Sequence, residues 1–171
     1  MGYCGVKGLI FDVNYQQVGK MSFIGQISAK LDAKNRVFLP AAFRRILQDA
    51  RVERLVVRKD FFENCLVVYP EDQWKAEVEK VRSRLNRFDS RQQMVYRKMV
   101  SEAQEVQLDS SGRMLVAKAL LEKVGIDQEV LFVGMENTIE MWAPQAAETL
   151  QGQPFMTDED FAEGIKEFMT E

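Results

Sequence analysis

Two aspartate–arginine pairs carry the most chemistry in this sequence. Asp32 and Arg36 stand four residues apart in Leu31-Asp-Ala-Lys-Asn-Arg-Val-Phe-Leu-Pro40. Asp109 and Arg113 recur at the same spacing in Leu108-Asp-Ser-Ser-Gly-Arg-Met-Leu-Val-Ala117. An aspartate in a tight turn can accept backbone N–H bonds and also grip an arginine four residues on, which fixes the direction of a guanidinium. A guanidinium held that way suits phosphate oxygens and guanine edges. The same pair can also do no more than staple its loop. Asn35 and Gly112 occupy equivalent positions, and these are the residue types that best tolerate φ > 0. Asp32, Asn35, Asp109 and Gly112 are therefore expected to organise two tight loops from which Arg36 and Arg113 project.

Further cations surround the first pair only. From Ser22 to Asp60 there are nine basic residues (Lys30, Lys34, Arg36, Arg44, Arg45, Arg51, Arg54, Arg58, Lys59) against four acids (Asp32, Asp49, Glu53, Asp60). From Gln104 to Glu148 the balance reverses, with three basic residues against eight acids, and the tail from Thr149 has one against six. The formal net charge of −3 thus conceals a basic third that can meet phosphate. Lys30, Lys34, Arg44 and Arg45 join Arg36 as candidate DNA contacts. Arg113, alone in an acidic segment, is a weaker candidate in a loop expected to be largely structural.

Other chemistries are poorly provided for. The chain has no histidine, which removes the usual neutral-pH acid/base and the commonest metal ligand. Its two cysteines, Cys4 and Cys65, lie far apart and suit neither a zinc site nor a disulfide framework. Asp32 and Asp109 can be drawn as a carboxylate pair, yet each has its own arginine and no base beside it, so catalysis is not expected. No cofactor, metal or small-molecule substrate is implied. No apolar run approaches the roughly 18 residues of a membrane span. The patch of Val6, Leu9, Ile10 and Phe11 is too short and interrupted for a secretory signal.

The elements that must position the two pairs form one unit written twice. Ile27–Pro40 aligns with Gln104–Ala117, and each is followed by a short amphipathic helix, Ala41 to Leu47 and Lys118 to Val124, the second stopped by Gly125. Each helix leads into two apolar strands: Leu55–Arg58 with Cys65–Tyr69, then Val130–Val133 with Ile139–Trp142. The unit reads as strand, tight loop, strand, helix, hairpin. Between the copies, Trp74, Val78, Val81, Leu85 and Phe88 follow helical spacing after Pro70-Glu71-Asp72. Asp89 and Gln92 form a capping box for a second helix carrying Met94, Val95, Met99 and Val100. Thr157-Asp-Glu-Asp160 opens a third, with Phe161, Ile165, Phe168 and Met169 on a face that must dock on its own core or a neighbouring chain.

The paired Asp-x-x-x-Arg motifs, with Phe43, Arg44 and Arg45 after the first, resemble the swapped-hairpin DNA-binding module of the AbrB type. Two copies separated by a helical pair, beginning near Met21-Ser-Phe-Ile-Gly25, resemble the MraZ family of bacterial transcriptional regulators. The resemblance implies an α+β, β-rich fold. Two AbrB-like swapped-hairpin repeats would form a pseudo-two-fold double-barrel unit with a helical pair between them. Residues 21–70 and 104–148 are then the repeats, 71–103 the connecting helices and 149–171 an acidic tail with a short helix. Residues 1–20 lie outside the family pattern, as an extension or a start placed upstream of Met21.

The resemblance further implies binding to short direct repeats in double-stranded promoter DNA, upstream of the division and cell-wall gene cluster, with repression of the chain's own operon. It implies a cytoplasmic, nucleoid-associated homo-oligomer, a closed ring larger than a dimer, and maps the family's DNA-contact arginine onto Arg36. Asn35 departs from the glycine common in the first motif. A competing reading is an antitoxin-like or scaffold protein that works through protein contacts, its acidic tail meeting a basic partner.

Overall fold

The computed structural model of the chain describes residues 21–148 and 155–169. The first copy of the repeat gives β1 (Gln26–Lys30), β2 (Arg36–Phe38), α1 (Ala41–Asp49), β3 (Arg54–Lys59) and β4 (Leu66–Pro70). Two helices follow, α2 (Glu71–Arg82) and α3 (Ser90–Ser101). The second copy gives β5 (Gln104–Gln107), β6 (Arg113–Leu115), α4 (Lys118–Lys123), β7 (Glu129–Met135) and β8 (Thr138–Trp142). The chain continues into α5 (Pro144–Ala147) and α6 (Asp158–Met169). The expected extension over residues 1–20 lies outside the described residues, as does the stretch 149–154 of the tail.

The fold is α+β, with antiparallel pairing throughout. Six strands form one sheet in the order β1-β7-β8-β4-β3-β5, and β2 pairs with β6 in a separate two-stranded ribbon. The two copies exchange strands across this arrangement. β1 of the first pairs with β7 of the second, while β5 of the second pairs with β3 of the first. The hairpins β3–β4 and β7–β8 meet along β4 and β8. Neither copy can complete its sheet alone, so both are needed to position either loop.

Burial explains the run-on apolar sequences of the hairpin strands. Leu55 and Val57 of β3 and Leu66 and Val68 of β4 face the main core, where they meet Val37, Leu39, Phe43, Met114 and Phe132. Val56, Val67 and Tyr69 point to the other side, a smaller apolar cluster with Val133 and Trp142 against which Trp74 of α2 packs. Strands buried on both faces read as continuous apolar runs, not alternating ones. Phe23 and Phe43 lock α1 to the core edge-to-face, ring centroids 5.5 Å apart.

The helical pair departs from the sequence reading. The stripe from Trp74 to Phe88 does not belong to one helix, because α2 stops at Arg82. Arg84 and Leu85 bond back only three residues, and the Asn86 side chain accepts the N–H of Phe88, so local polar bonding replaces the helical ladder. Phe88 is left exposed. α3 starts where expected, its Asp89 cap accepting the N–H of Gln92 at 3.1 Å. Its apolar residues do not form one buried stripe, however: Met99 is buried while Met94, Val95 and Val100 face solvent. The tail helix begins at its predicted cap, Thr157 Oγ1 accepting from the N–H of Asp160. No helix among the described residues is long and apolar enough to cross a membrane.

Candidate nucleic-acid interface

Each Asp-x-x-x-Arg loop is built around its carboxylate. Asp32 Oδ1 accepts the backbone N–H groups of Lys34 (2.8 Å) and Arg36 (2.9 Å), and Oδ2 accepts Arg36 Nε at 2.7 Å. Asp109 repeats the pattern: Oδ1 accepts from Ser111 and Arg113, both at 2.9 Å, and Oδ2 from Arg113 Nε at 2.8 Å. The turns close through Asn35 N–H to Asp32 O and Gly112 N–H to Asp109 O. Both turn residues have the expected positive φ, 59° at Asn35 and 82° at Gly112. The N–H of Arg36, more than any other group, holds the Asp32 carboxyl below the ordinary aspartate range, and the N–H of Arg113 does the same for Asp109. The Nε of each arginine is thus committed to its aspartate, and both guanidinium groups remain part-exposed.

The strand exchange then places the two loops side by side. In the β2–β6 ribbon Arg36 lies opposite Leu115, Val37 opposite Met114 and Phe38 opposite Arg113. Val37 and Met114 are fully buried, so the alternation of a strand puts the other four side chains on one outward face. That face carries two part-exposed arginines on one diagonal and two half-exposed apolar side chains, Phe38 and Leu115, on the other. Arg113 Cζ stands 5.7 Å from the Phe38 ring centroid. A shallow depression lined by Ala29, Lys30, Leu31, Asp32, Arg36, Phe38 and Arg113 continues the surface toward β1.

The remaining candidates divide. Lys34 sits exposed at the tip of the first loop. Lys30 is exposed on β1, with Nζ 3.8 Å from Glu129. Arg45 is exposed on α1, but Arg44 is half-buried and does not serve its own loop. It crosses to the second, where Nη1 donates to Ser111 O at 3.2 Å. Its side chain fills the space beside Gly112, where a Cβ would stand 2.1 Å from Nη1 and 2.7 Å from Cδ. The second loop therefore does not rely on Arg113 alone, because the first repeat's helix reaches it. The basic third is also less available than its composition suggests. Arg58 is buried with its guanidinium 3.9 Å from the Phe61 ring, and Lys59 bonds the carbonyls of Asp60 and Glu63.

Three residues of the ribbon and its support escaped the sequence reading. Phe38 and Leu115, within the apolar residues that follow each arginine, both stand outside. Gln104 braces the second ribbon strand, accepting from Ala117 N–H and donating to Leu115 O. The available signal was that Gln104 aligns with the apolar Ile27 of the first copy.

The family description "MraZ protein, putative antitoxin-like" matches residues 22–98 and again 99–164, so the family's pattern occurs twice in the chain. The chain belongs to the MraZ family. It is 45% identical over 149 residues to a protein of Phocaeicola vulgatus named Transcriptional regulator MraZ, covering 87% of this chain and 94% of that one. A protein of the same name from Bacteroides thetaiotaomicron is 44% identical, covering 87% and 93% of the two chains. One from Serratia proteamaculans is 33% identical over 123 residues, covering 72% and 80%. For a chain of the MraZ family, the two matched segments correspond to the two halves that exchange β1 and β5.

Proposed function

We propose that this chain is a sequence-selective DNA-binding transcriptional regulator without catalytic activity. The observation that carries this reading is the outward face of the β2–β6 ribbon, where Arg36 and Arg113 stand with their Nε atoms pinned by Asp32 and Asp109. A two-stranded antiparallel ribbon fits the major groove, and arginine pairs bidentately with the O6 and N7 of guanine. In this reading Arg36 and Arg113 read base edges. Lys30, Lys34 and Arg45 neutralise phosphate, and Phe38 and Leu115 offer apolar contacts to thymine methyl groups. Arg44 acts indirectly, as a positioning residue for the second loop. The carboxylates of Asp32 and Asp109 organise the loops and perform no proton transfer.

The finer expectations belong to the same proposal. The exchanged strands are the swapped hairpins of a pseudo-two-fold double barrel. The target is a set of short direct repeats in promoter DNA upstream of the division and cell-wall gene cluster, and binding represses the chain's own operon. Several copies assemble into a closed ring in the cytoplasm, at the nucleoid, so that tandem sites are bound together and effective concentration replaces new contacts. The curated relatives named as transcriptional regulators support the class of activity. A mobility shift with DNA taken from directly upstream of the gene tests it: retention of that DNA over a scrambled fragment supports the reading, and equal retention of both contradicts it.

The second reading is an antitoxin-like or scaffold protein acting through protein contacts. It draws on the exposed apolar face of α6 and on the family description. It predicts copurification of a basic protein and no preference among DNA fragments.

A further inference from the structure

Two exposed surfaces of the chain are complementary in both apolar character and charge. One is the solvent side of α3, where Met94 and Val95 are 64% and 56% exposed. Arg91 and Lys98 fall on the same side, one turn before and one turn after. From Lys80 to Lys98 the sequence holds seven basic residues and a single acid, Asp89. The other surface is α6. Phe161, Ile165 and Phe168 recur at helical spacing on one side of it and are all exposed, Phe168 at 81%. The helix contains five acids and one lysine.

Within one chain each of these faces is exposed, so neither covers the other. An amphipathic helix with an open apolar side is stable only when that side finds a groove or a second apolar surface. The acidic helix and the basic segment from Lys80 to Lys98 attract each other before contact, which selects this pairing over others of like charge. We propose that α6 of one copy docks its Phe161–Ile165–Phe168 face on the Met94–Val95 face of α3 in a second copy. The contact is head-to-tail, because it uses two different surfaces, and repeated contacts of this kind close into a ring or continue as a filament. This inference rests on the proposed assembly and names the surfaces that make it.

The experiment compares by light scattering the full chain, the α6 variant Phe161→Asp/Phe168→Asp, and the α3 variant Met94→Asp/Val95→Asp. Circular dichroism checks that each variant is folded; all four side chains are exposed, so the core is untouched. The full chain is expected to be an oligomer, and each variant is expected to fall to the 19.7 kDa monomer. Mixed in equal amounts, the two variants retain one good α3 face and one good α6 face between them. They are expected to give a complex of twice the chain mass and nothing larger.

A monomeric full chain would contradict the assembly reading and this inference together. A full chain and variants that are equally oligomeric would leave assembly standing and overturn the α6–α3 contact. Failure of the mixture to form the two-chain complex would overturn it as well. So would an α3 variant that keeps its oligomeric mass but no longer binds promoter DNA, since the basic face would then serve nucleic acid.

Discussion

The Asp32 carboxylate lies within reach of both arginines of the ribbon: Oδ2 holds Arg36 Nε at 2.7 Å, and Arg113 Nη1 stands 4.0 Å from the same oxygen. Two guanidinium groups that would repel are thereby gathered around acids at the centre of the ribbon's outward face, with Asp109 holding Arg113 from the other side. Strand exchange is what produces this closeness, because the loops are 77 residues apart in the sequence and adjacent only when β2 pairs with β6. Substituting Asp32 therefore disturbs both arginines, whereas among the described residues Asp109 pairs with Arg113 alone.

We expect Arg113→Ala to weaken specific DNA binding less than Arg36→Ala. Around Arg36 lie Lys30, Lys34 and Arg45; the aligned positions of the second copy are Gln107, Ser111 and Glu122. Arg113→Ala also removes a salt bridge and the contact over Phe38, so its melting temperature should fall by a few degrees, about 2–4 °C per kcal/mol for a chain this size. Binding isotherms and melting curves of the two variants measure this. Equal affinity losses without a thermal difference would refute the asymmetry.

Asn35 and Gly112 share a left-handed backbone and differ in their surroundings. Asn35→Gly should be tolerated, changing stability by no more than about 1 kcal/mol, since glycine accepts the same φ. Gly112→Asn should cost more, roughly 1–3 kcal/mol, because its Cβ would displace the Arg44 side chain from the loop. Denaturant unfolding of the two variants checks the order, and reversal of that order would show that Arg44 does not pack there.

Arg44→Ala tests the crossing contact. It removes the bond to Ser111 O and uncovers Gly112, with an expected loss of about 0.5–1.5 kcal/mol in stability. If Arg44 only positions the second loop, DNA affinity should fall less than with Arg36→Ala, and the salt dependence of binding should not change. A reduced salt slope would instead make Arg44 a phosphate contact.

Stability should respond to pH in two opposite ways. Asp32 and Asp109 titrate below the ordinary aspartate range in the folded chain, so their contribution is complete above the unfolded value of 3.8 and is lost as pH falls through the lower folded values. Glu140 is shifted upward, chiefly by burial and also by the charges of Asp60 and Glu63, against the bond from Trp142 Nε1. Its ionised form opposes folding at neutral pH, and the penalty disappears as pH falls through the raised folded value toward 4.5. Glu140→Gln should raise the melting temperature at pH 7 and Asp32→Asn should lower it. Shifts of the same sign would contradict this assignment.

Much of the site was legible because the repeat writes its rules twice. Asp-x-x-x-Arg with a residue tolerant of φ > 0 before the arginine specifies the same turn in both copies, and the structure forms it with near-identical bonds. Element order followed from the same duplication. The partners of those elements did not, since strand exchange brings residues 77 apart into register and nothing in the local sequence marks it. Arg44 was placed with Arg36 by sequence proximity, while its side chain belongs to the other loop. Arg58 counted as surface charge because burial of a cation beneath Phe61 depends on a hairpin fold that charge totals do not see. The outward place of Phe38 and Leu115 was not legible, because an apolar triplet does not announce which member faces out. Leu85 and Phe88 kept helical spacing, but the helix stops at Arg82 and the bonds after it are three-residue turns and the Asn86 side chain.

The central claim is that Arg36, pinned by Asp32, reads bases. The most direct measurement is the affinity of the purified chain and of Arg36→Ala for DNA from directly upstream of the gene and for a scrambled fragment, at one fixed salt concentration. A lost arginine–guanine contact removes roughly 1–3 kcal/mol, or about 5- to 150-fold, for each site engaged. The predicted result is that Arg36→Ala loses most of the preference for the upstream fragment, with oligomeric mass retained and a smaller fall in melting temperature than Arg113→Ala. A variant that still prefers the upstream DNA by the full wild-type ratio would contradict the account.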